Sequence, residues 1–407
     1  MINTEGPKNF DWGEYSFSEN VQVLDTSLRD GLQDSEIRHP TLNEKRELIQ
    51  QMPLIGVNAV DIAIPIARGS HLRDAIQLAR ELPSNIDIVC LARTQEEDIK
   101  AAVELAQGAG RPVEAIIFVG ASPIRRWVEG WELDEMIRWM RKSVKLASDE
   151  GLIPNIATEH TTEAEPEVLE MIYRAGLESG GRKVCIADTT GAATPMSVGR
   201  LIKFFQKEII NDFDSIDIDW HGHDDRGGAV TNSLAALQAG ARRVHGTVLG
   251  IGERAGNTPI ETLLINLKIA GDPARQDLTS LDEFSKLGSR IFNVPIRANY
   301  PGIGEKVGKT ASGIHAAAMV KARNLGIDAS LPYSRVDQRW FGKEADVRIG
   351  PLSGRANVEW VTQKLGLECT QTLVDKALKF ARDTNRILSN ADIINIASSL
   401  ENESNGN

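Results

Sequence analysis

Two histidines one residue apart, His221 and His223, close a strand-like run, Ile216-Asp217-Ile218-Asp219-Trp220. In an extended segment residues i and i+2 point to the same side, so both imidazoles can meet one metal ion. Two acids, Asp224 and Asp225, follow at once. This grouping points to an enzyme built around a divalent cation.

Other strand ends carry groups that are expensive to leave unpaired. The run Asp25-Thr26-Ser27-Leu28-Arg29-Asp30-Gly31-Leu32-Gln33 holds a carboxylate, a guanidinium and an amide. Asp30 either joins His221 and His223 as a third ligand or forms a structural salt bridge. Two imidazoles and one carboxylate leave open positions on an octahedral metal, which suits a chelating substrate. Arg29 could then face an oxygen that gains negative charge. Glu159, in Ala157-Thr158-Glu159-His160, is a candidate base or substrate partner; alternatively it orders Arg29. Thr189 could bind a substrate carboxylate, while Asp188 and Thr190 can equally cap the loop and the next helix. In Gly250-Ile251-Gly252-Glu253-Arg254-Ala255-Gly256-Asn257 the glycines permit close backbone approach to a ligand. Asn257 can offer a neutral oxygen to the metal. Glu253 and Arg254 could also pair and stiffen the loop. No Lys-Ser or Lys-Thr pair closes this stretch as a P-loop would.

These residues need a frame. Short β-rich runs recur at Val21–Asp25, Ala59–Ile64, Ile86–Ala92, Ala115–Val119, Ile153–Ala157, Lys183–Ala187, Ile216–His221 and Val244–Leu249. Helical patterns lie between them, from Asn43–Leu54 to Gly228–Ala239, and a last one begins near Pro259. Eight strand–helix units predict a (β/α)8 TIM barrel, class α/β, followed by a mainly helical C-terminal region. An open doubly wound sheet would bring a glycine-rich loop after the first strand, and none is there. The expected divisions are an N-terminal extension over 1–20, the barrel over 21–278, a linker and subdomain over 279–355, helices over 356–400 and a polar tail over 401–407. Tyr300 to Gly354 is glycine-rich and short on long periodic helices.

Apolar residues make up 41% of the 407, enough for a sizeable core, and the formal net charge of −11 argues against nucleic-acid or anionic-membrane partners. No apolar run approaches a membrane span. Cys90, Cys185 and Cys369 are far apart, and the first two lie in apolar runs. They read as buried thiols of a reducing compartment, and a cytoplasmic location is expected.

The motifs together resemble the acyl-CoA-dependent aldol/Claisen enzymes typified by 2-isopropylmalate synthase and homocitrate synthase. Asp25 to Gln33 is similar to the family's Asp-Thr-Thr-Leu-Arg-Asp-Gly-x-Gln, with Ser27 for the second Thr. His221 to Asp225 is similar to His-x-His-Asn-Asp, with Asp224 in the Asn position. Gly250 to Asn257 matches Gly-x-Gly-Glu-Arg-x-Gly-Asn in full, and the agreement runs roughly from 21 to 355. The resemblance implies a divalent metal, Mg²⁺ or Mn²⁺ first and Zn²⁺ next, held by Asp30, His221 and His223 with Asn257 nearby. It implies acetyl-CoA as cosubstrate and a 2-oxo acid as acceptor. Arg29 and Glu159 take catalytic roles, Gln33, Arg93 and Thr189 bind substrate, and Gly250, Gly252, Glu253 and Arg254 face the cosubstrate. Ser312-Gly313-Ile314-His315 is similar to a segment whose histidine reaches the neighbouring subunit's active site. His315 is then the base or its relay, Tyr333 accompanies it, and a homodimer with exchanged helical segments follows.

Some positions depart from the pattern. Val89 to Arg93 and Ala121 to Ile124 resemble the leucine-pathway enzymes, yet Arg125 stands where those usually have His. Ala316-Ala317-Ala318 replaces Gln-Asp-Gly, and Glu163 replaces an Arg. Arg125 either selects a dicarboxylic acceptor, contacts coenzyme A phosphates, or is a solvated surface residue. A short 2-isopropylmalate synthase-like chain without a leucine-binding C-terminal domain is expected. Homocitrate- or citramalate-type synthases are the near alternatives. A 3-hydroxy-3-methylglutaryl-CoA lyase-like enzyme would bring a cysteine to the loop after the last strand, and Gly250 to Asn257 has none. A non-catalytic metabolite-binding barrel is the remaining alternative.

Overall fold

The structure is a computed structural model that describes residue 17 and residues 20–275 and 277–405. Eight strands close in sequence order into a parallel barrel. They are β1 (Gln22–Asp25), β2 (Ala59–Asp61), β3 (Asp87–Arg93), β4 (Val113–Gly120), β5 (Ile153–Glu159), β6 (Lys183–Asp188), β7 (Asp217–Gly222) and β8 (Arg243–Gly246). The ring is completed by β1 on β8, with Leu24 opposite His245 and Asp25 opposite Gly246. The expected TIM barrel is therefore present.

Side chains two apart along a strand share a face, so the interior is layered. One layer is apolar and includes Leu24, Ala59, Val89, Ile116, Ala157 and Cys185. Two residues earlier on β4, β5 and β7 lie Glu114, Asn155 and Asp219, all buried. Arg243 of β8 pairs with both carboxylates, and Lys183 Nζ reaches Glu114 at 2.7 Å. Two acids meet two bases, which is what a buried ionic cluster requires. Two residues later comes the barrel mouth, with Phe118 on β4, Glu159 at the end of β5 and His223 just beyond β7.

The intervening helices start and stop where local chemistry dictates. Thr41 and Glu44 form a reciprocal capping box on the helix Leu42–Gln51. Prolines open Pro123–Glu129, Pro166–Glu178 and Pro195–Phe204. The second strand ends at Asp61 rather than Ile64, and three further features differ from the sequence expectation. The last strand stops at Gly246, because the backbone turns at Val248–Gly250. There the Leu249 N–H donates to the buried Glu261 carboxylate at 3.0 Å. Second, 281–292 is a helix rather than a connection. It buries Leu281, Phe284, Leu287 and Ile291, an apolar stripe at helical spacing. Third, Gly313–Asn324 forms a helix inside the glycine-rich stretch. Its Ala316, Met319 and Ala322 are buried, and Ala316 and Met319 share a cluster with Val347 and Trp360.

The described residues divide into two compact units, one up to Ile296 and one from Arg297 onward. The smaller unit contains a parallel pair, β9 (Lys309–Thr310) with β10 (Asp346–Val347), and the helices Arg355–Leu365, Gln371–Thr384 and Asn390–Asn405. Val358, Val361, Val374, Ala377 and Ile393 form its core. Among the described residues, no helix is long and apolar enough to cross a membrane. The expected extension lies largely outside the described residues, whereas 401–405 of the expected polar tail continue the last helix, Asn390–Asn405.

Candidate metal centre and active site

After β1 the backbone folds tightly, with the amides of Arg29, Asp30 and Gly31 all directed at the Thr26 carbonyl within 3.1 Å. This turn carries Arg29 and Asp30 over the mouth. Arg29 Nε reaches Asp61 Oδ2 at 2.6 Å and Nη1 reaches Asp30 Oδ2 at 2.9 Å. Thr26 Oγ1 also donates to Asp61, at 3.0 Å. Burial disfavours the Arg29 charge, but Asp61 and Asp30 outweigh it and hold the guanidinium well above its ordinary value. Asp61 closes β2 and is fully buried. Sequence reasoning missed it, although it ends a strand like the others.

β7 delivers His221, and His223 follows beyond Gly222. The two Nε2 atoms lie 3.4 Å apart. His221 Nε2 is 3.2 Å from Asp30 Oδ2 and His223 Nε2 is 3.9 Å from it. The three donor atoms sit within 4.8 Å of one another. Burial pushes both histidines down, His223 to about 4. Each ring is then neutral and has a lone pair to offer. Burial pushes Asp30 up, but Arg29 and then His221 overcome it and hold the carboxyl well below its usual range.

Asn257 pairs through its backbone with His223 in an isolated bridge. Its amide nitrogen donates to the Ile251 carbonyl at 3.2 Å, and its buried Oδ1 has no hydrogen-bond partner among the described residues. Gly252, at φ +143°, makes this approach possible: a Cβ there would fall 2.2 Å from Asn257 Nδ2 and 3.4 Å from Asp30 Oδ1. Two neutral nitrogens, an ionised carboxylate and an unsatisfied amide oxygen fit a divalent cation.

The centre opens into a cavity of about 440 Å³ whose lining includes Arg29, Asp30, Gln33, Arg93, Glu159, Thr189, His221, His223 and Glu253. Their surroundings differ from some expectations. Glu159 is paired with Arg125, at 3.3 Å, and not with Arg29. Arg125 also reaches Glu129 at 2.8 Å, so it is neither free nor simply solvated. Arg254 binds Asp225 through two contacts of 2.9 and 3.0 Å and donates to the Thr189 carbonyl at 2.6 Å. Its contact with Glu253 is longer, at 3.6 Å. Thr189 Oγ1 accepts the His160 N–H at 2.8 Å, and Asp188 caps the amides of Ala192 and Ala193. Gly250 takes φ +70°. Arg93 is clamped by Asp98, with two contacts of 2.9 Å. Cys90 and Cys185 are buried and free, and burial pushes both thiols well up.

His315 and Tyr333 belong to the smaller unit. Their rings stack with centroids 3.8 Å apart and an interplanar angle of 24°.

The HMGL-like family model matches residues 20–287. The chain is 31% identical over 369 residues to a homocitrate synthase of Methanopyrus kandleri, covering 90% of this chain and 88% of that one. It is 30% identical over 368 residues to a probable 2-isopropylmalate synthase of the same organism, covering 90% and 70%. A hydroxymethylglutaryl-CoA lyase structure from Pseudomonas aeruginosa superposes with a TM-score of 0.58 at 17% identity, over 68% of this chain and 94% of the other. At that identity the likeness shows the barrel alone. With the family model spanning the barrel and the synthases aligned over nine-tenths of the sequence, the chain belongs to the HMGL-like family.

Proposed function

We propose that this protein is an acyltransferase that joins the methyl carbon of acetyl-CoA to the keto carbon of a 2-oxo acid and then hydrolyses the thioester, in the manner of a 2-isopropylmalate synthase. The product is a 2-hydroxy-2-alkyl dicarboxylic acid. The convergence of Asp30, His221 and His223 beside a fixed Arg29 carries the proposal. Similarity to homocitrate, 2-isopropylmalate and citramalate synthases supports it.

Asp30, His221 and His223, with Asn257 beside them, would hold a divalent cation, which would supply Lewis-acid polarisation of the acceptor; Mg²⁺ or Mn²⁺ come first and Zn²⁺ also suits the donors. Arg29, fixed by two carboxylates, faces the keto oxygen and meets its charge without reorganising. Thr189 and Gln33 orient the acceptor, and the loop of Gly250, Gly252, Glu253 and Arg254 faces acetyl-CoA. A base takes one proton from the acetyl methyl group. The electron pair left behind forms the new carbon–carbon bond. The keto π pair moves onto oxygen, which is then protonated. Water attacks the thioester carbonyl, the carbon–sulfur bond breaks, and coenzyme A leaves as the thiol. Glu159 serves proton transfer at the cavity edge. His315, accompanied by Tyr333, is the base or its relay, supplied by a second copy of the chain with exchanged helical segments.

The test is coenzyme A release from acetyl-CoA with a divalent cation and a panel of 2-oxo acids. Release is expected only with an acceptor present, and chelation should abolish it. No release with any acceptor or cation would overturn the proposal.

A further inference from the structure

The cavity beside the metal centre is chemically lopsided. Ile64, Ile66, Leu91, Ile116 and Phe118 supply apolar wall. Its charged lining is four carboxylates, Asp30, Asp98, Glu159 and Glu253, against two guanidiniums, Arg29 and Arg93. Among the described residues, neither guanidinium is free. Arg29 is held by Asp61 and Asp30. Arg93 lies in a two-pronged pair with Asp98, which is itself buried and also accepts the Arg93 backbone N–H at 3.1 Å. Arg125, next to Glu159, is occupied by Glu159 and Glu129. A divalent cation would balance the excess of carboxylates and bind one substrate carboxylate. A second substrate carboxylate would face the apolar wall and, among the described residues, meet only cations already paired with carboxylates, of which Arg93, its side chain 59% exposed, is the accessible one.

Building on the condensation proposed above, we infer that the acceptor is a 2-oxo acid with a single carboxylate and an apolar side chain of isopropyl size or larger, and that Asp98 enforces this choice by clamping Arg93. Asp98 is thus a specificity-determining residue that acts through Arg93. With Asp98 neutralised, the Arg93 guanidinium becomes available to a distal carboxylate. The apolar wall favours the larger side chain because a methyl group leaves it unfilled.

The experiment compares kcat/KM for 2-oxoisovalerate, pyruvate, 2-oxoglutarate and oxaloacetate in the native enzyme, in Asp98→Asn and in the double variant Arg93→Gln/Asp98→Asn. In the native enzyme 2-oxoisovalerate is expected to lead each of the others by at least about tenfold. Asp98→Asn should narrow its lead over the two dicarboxylic acids by about tenfold, and the double variant should restore the native ratio. Asp98→Ser replaces Asp98→Asn if thermal melting shows the latter unfolded. A native preference for either dicarboxylic acid, or for pyruvate, overturns the inference and leaves the condensation standing. Absence of turnover with every acceptor overturns the condensation itself. An unchanged ratio in folded Asp98→Asn or Asp98→Ser overturns the role of Asp98.

Discussion

Asp30 works in two directions at once: one of its oxygens pairs with Arg29 and faces both histidines. The centre is tight without being self-satisfied: among the described residues, the buried Oδ1 of Asn257 has no hydrogen-bond partner. Removing one imidazole should therefore unmake the cation site while sparing the barrel. For His223→Ala, calorimetric titration is expected to show Mn²⁺ affinity down by more than about a hundredfold, with the melting temperature within a few degrees of native. Native-like affinity would remove His223 from the site. A second residue gives a pH signature. Burial pushes the Asp25 carboxyl up to about 7 from 3.8. Between those values the folded chain keeps a proton that the unfolded chain has lost, so stability declines as pH rises through that window. Asp25→Asn cannot ionise and can still accept the Ser27 N–H, held at 2.7 Å in the native chain. Melting curves should put this variant a few degrees above native at pH 8, with the gap closing toward pH 4. A gap independent of pH would contradict the buried acid. His221, His223, Asp30 and Asn257 were readable as a group because a two-residue period and strand-end placement are written in the sequence. Asp61 was not: it looked like an interior residue of a longer run, and only the barrel reveals it as the second anchor of Arg29.

At the scale of elements, the loop after β8 is the part most constrained by backbone shape. Gly252 leaves room for Asn257, and a Cβ on Gly256 would fall 1.8 Å from the Gly250 carbonyl oxygen. Gly252→Ala should therefore displace Asn257. Cation affinity is expected to fall by about tenfold or more and stability by about 1–3 kcal/mol, read by titration and denaturant unfolding. An unchanged affinity would mean that Asn257 is no part of the centre. The strand–helix alternation made the barrel legible, since each element repeats a period that a linear chain displays. The end of β8 was not legible, because the Leu249 amide is captured by Glu261 of the next helix, a contact across the loop. The helix at 281–292 does carry a helical apolar stripe, hidden by its position after the eighth unit. Gly313–Asn324 was obscured by surrounding glycines, although Ala316 to Ala318 favour helix. Arg125 and Glu159 are 34 positions apart by numbering, and nothing local announces their pairing at 3.3 Å.

For the whole molecule, the larger unit holds the proposed metal ligands and the smaller unit holds His315 and Tyr333. If a working site draws on two copies, variants broken in different units should complement each other. His223→Ala and His315→Ala, each inactive alone, are expected to recover a measurable fraction of native turnover when co-expressed. No recovery, in mixed dimers confirmed by differential tagging, would place each site within one chain. The proposal for the whole protein rests on one event, formation of a bond between the acetyl methyl carbon and the keto carbon. Acetyl-CoA isotopically labelled in the methyl group, incubated with 2-oxoisovalerate and Mn²⁺, tests that event directly. The account predicts that the label emerges as the methylene carbon of a 2-hydroxy dicarboxylic acid, in step with free thiol. Label recovered only as acetate, or left in acetyl-CoA, would contradict it.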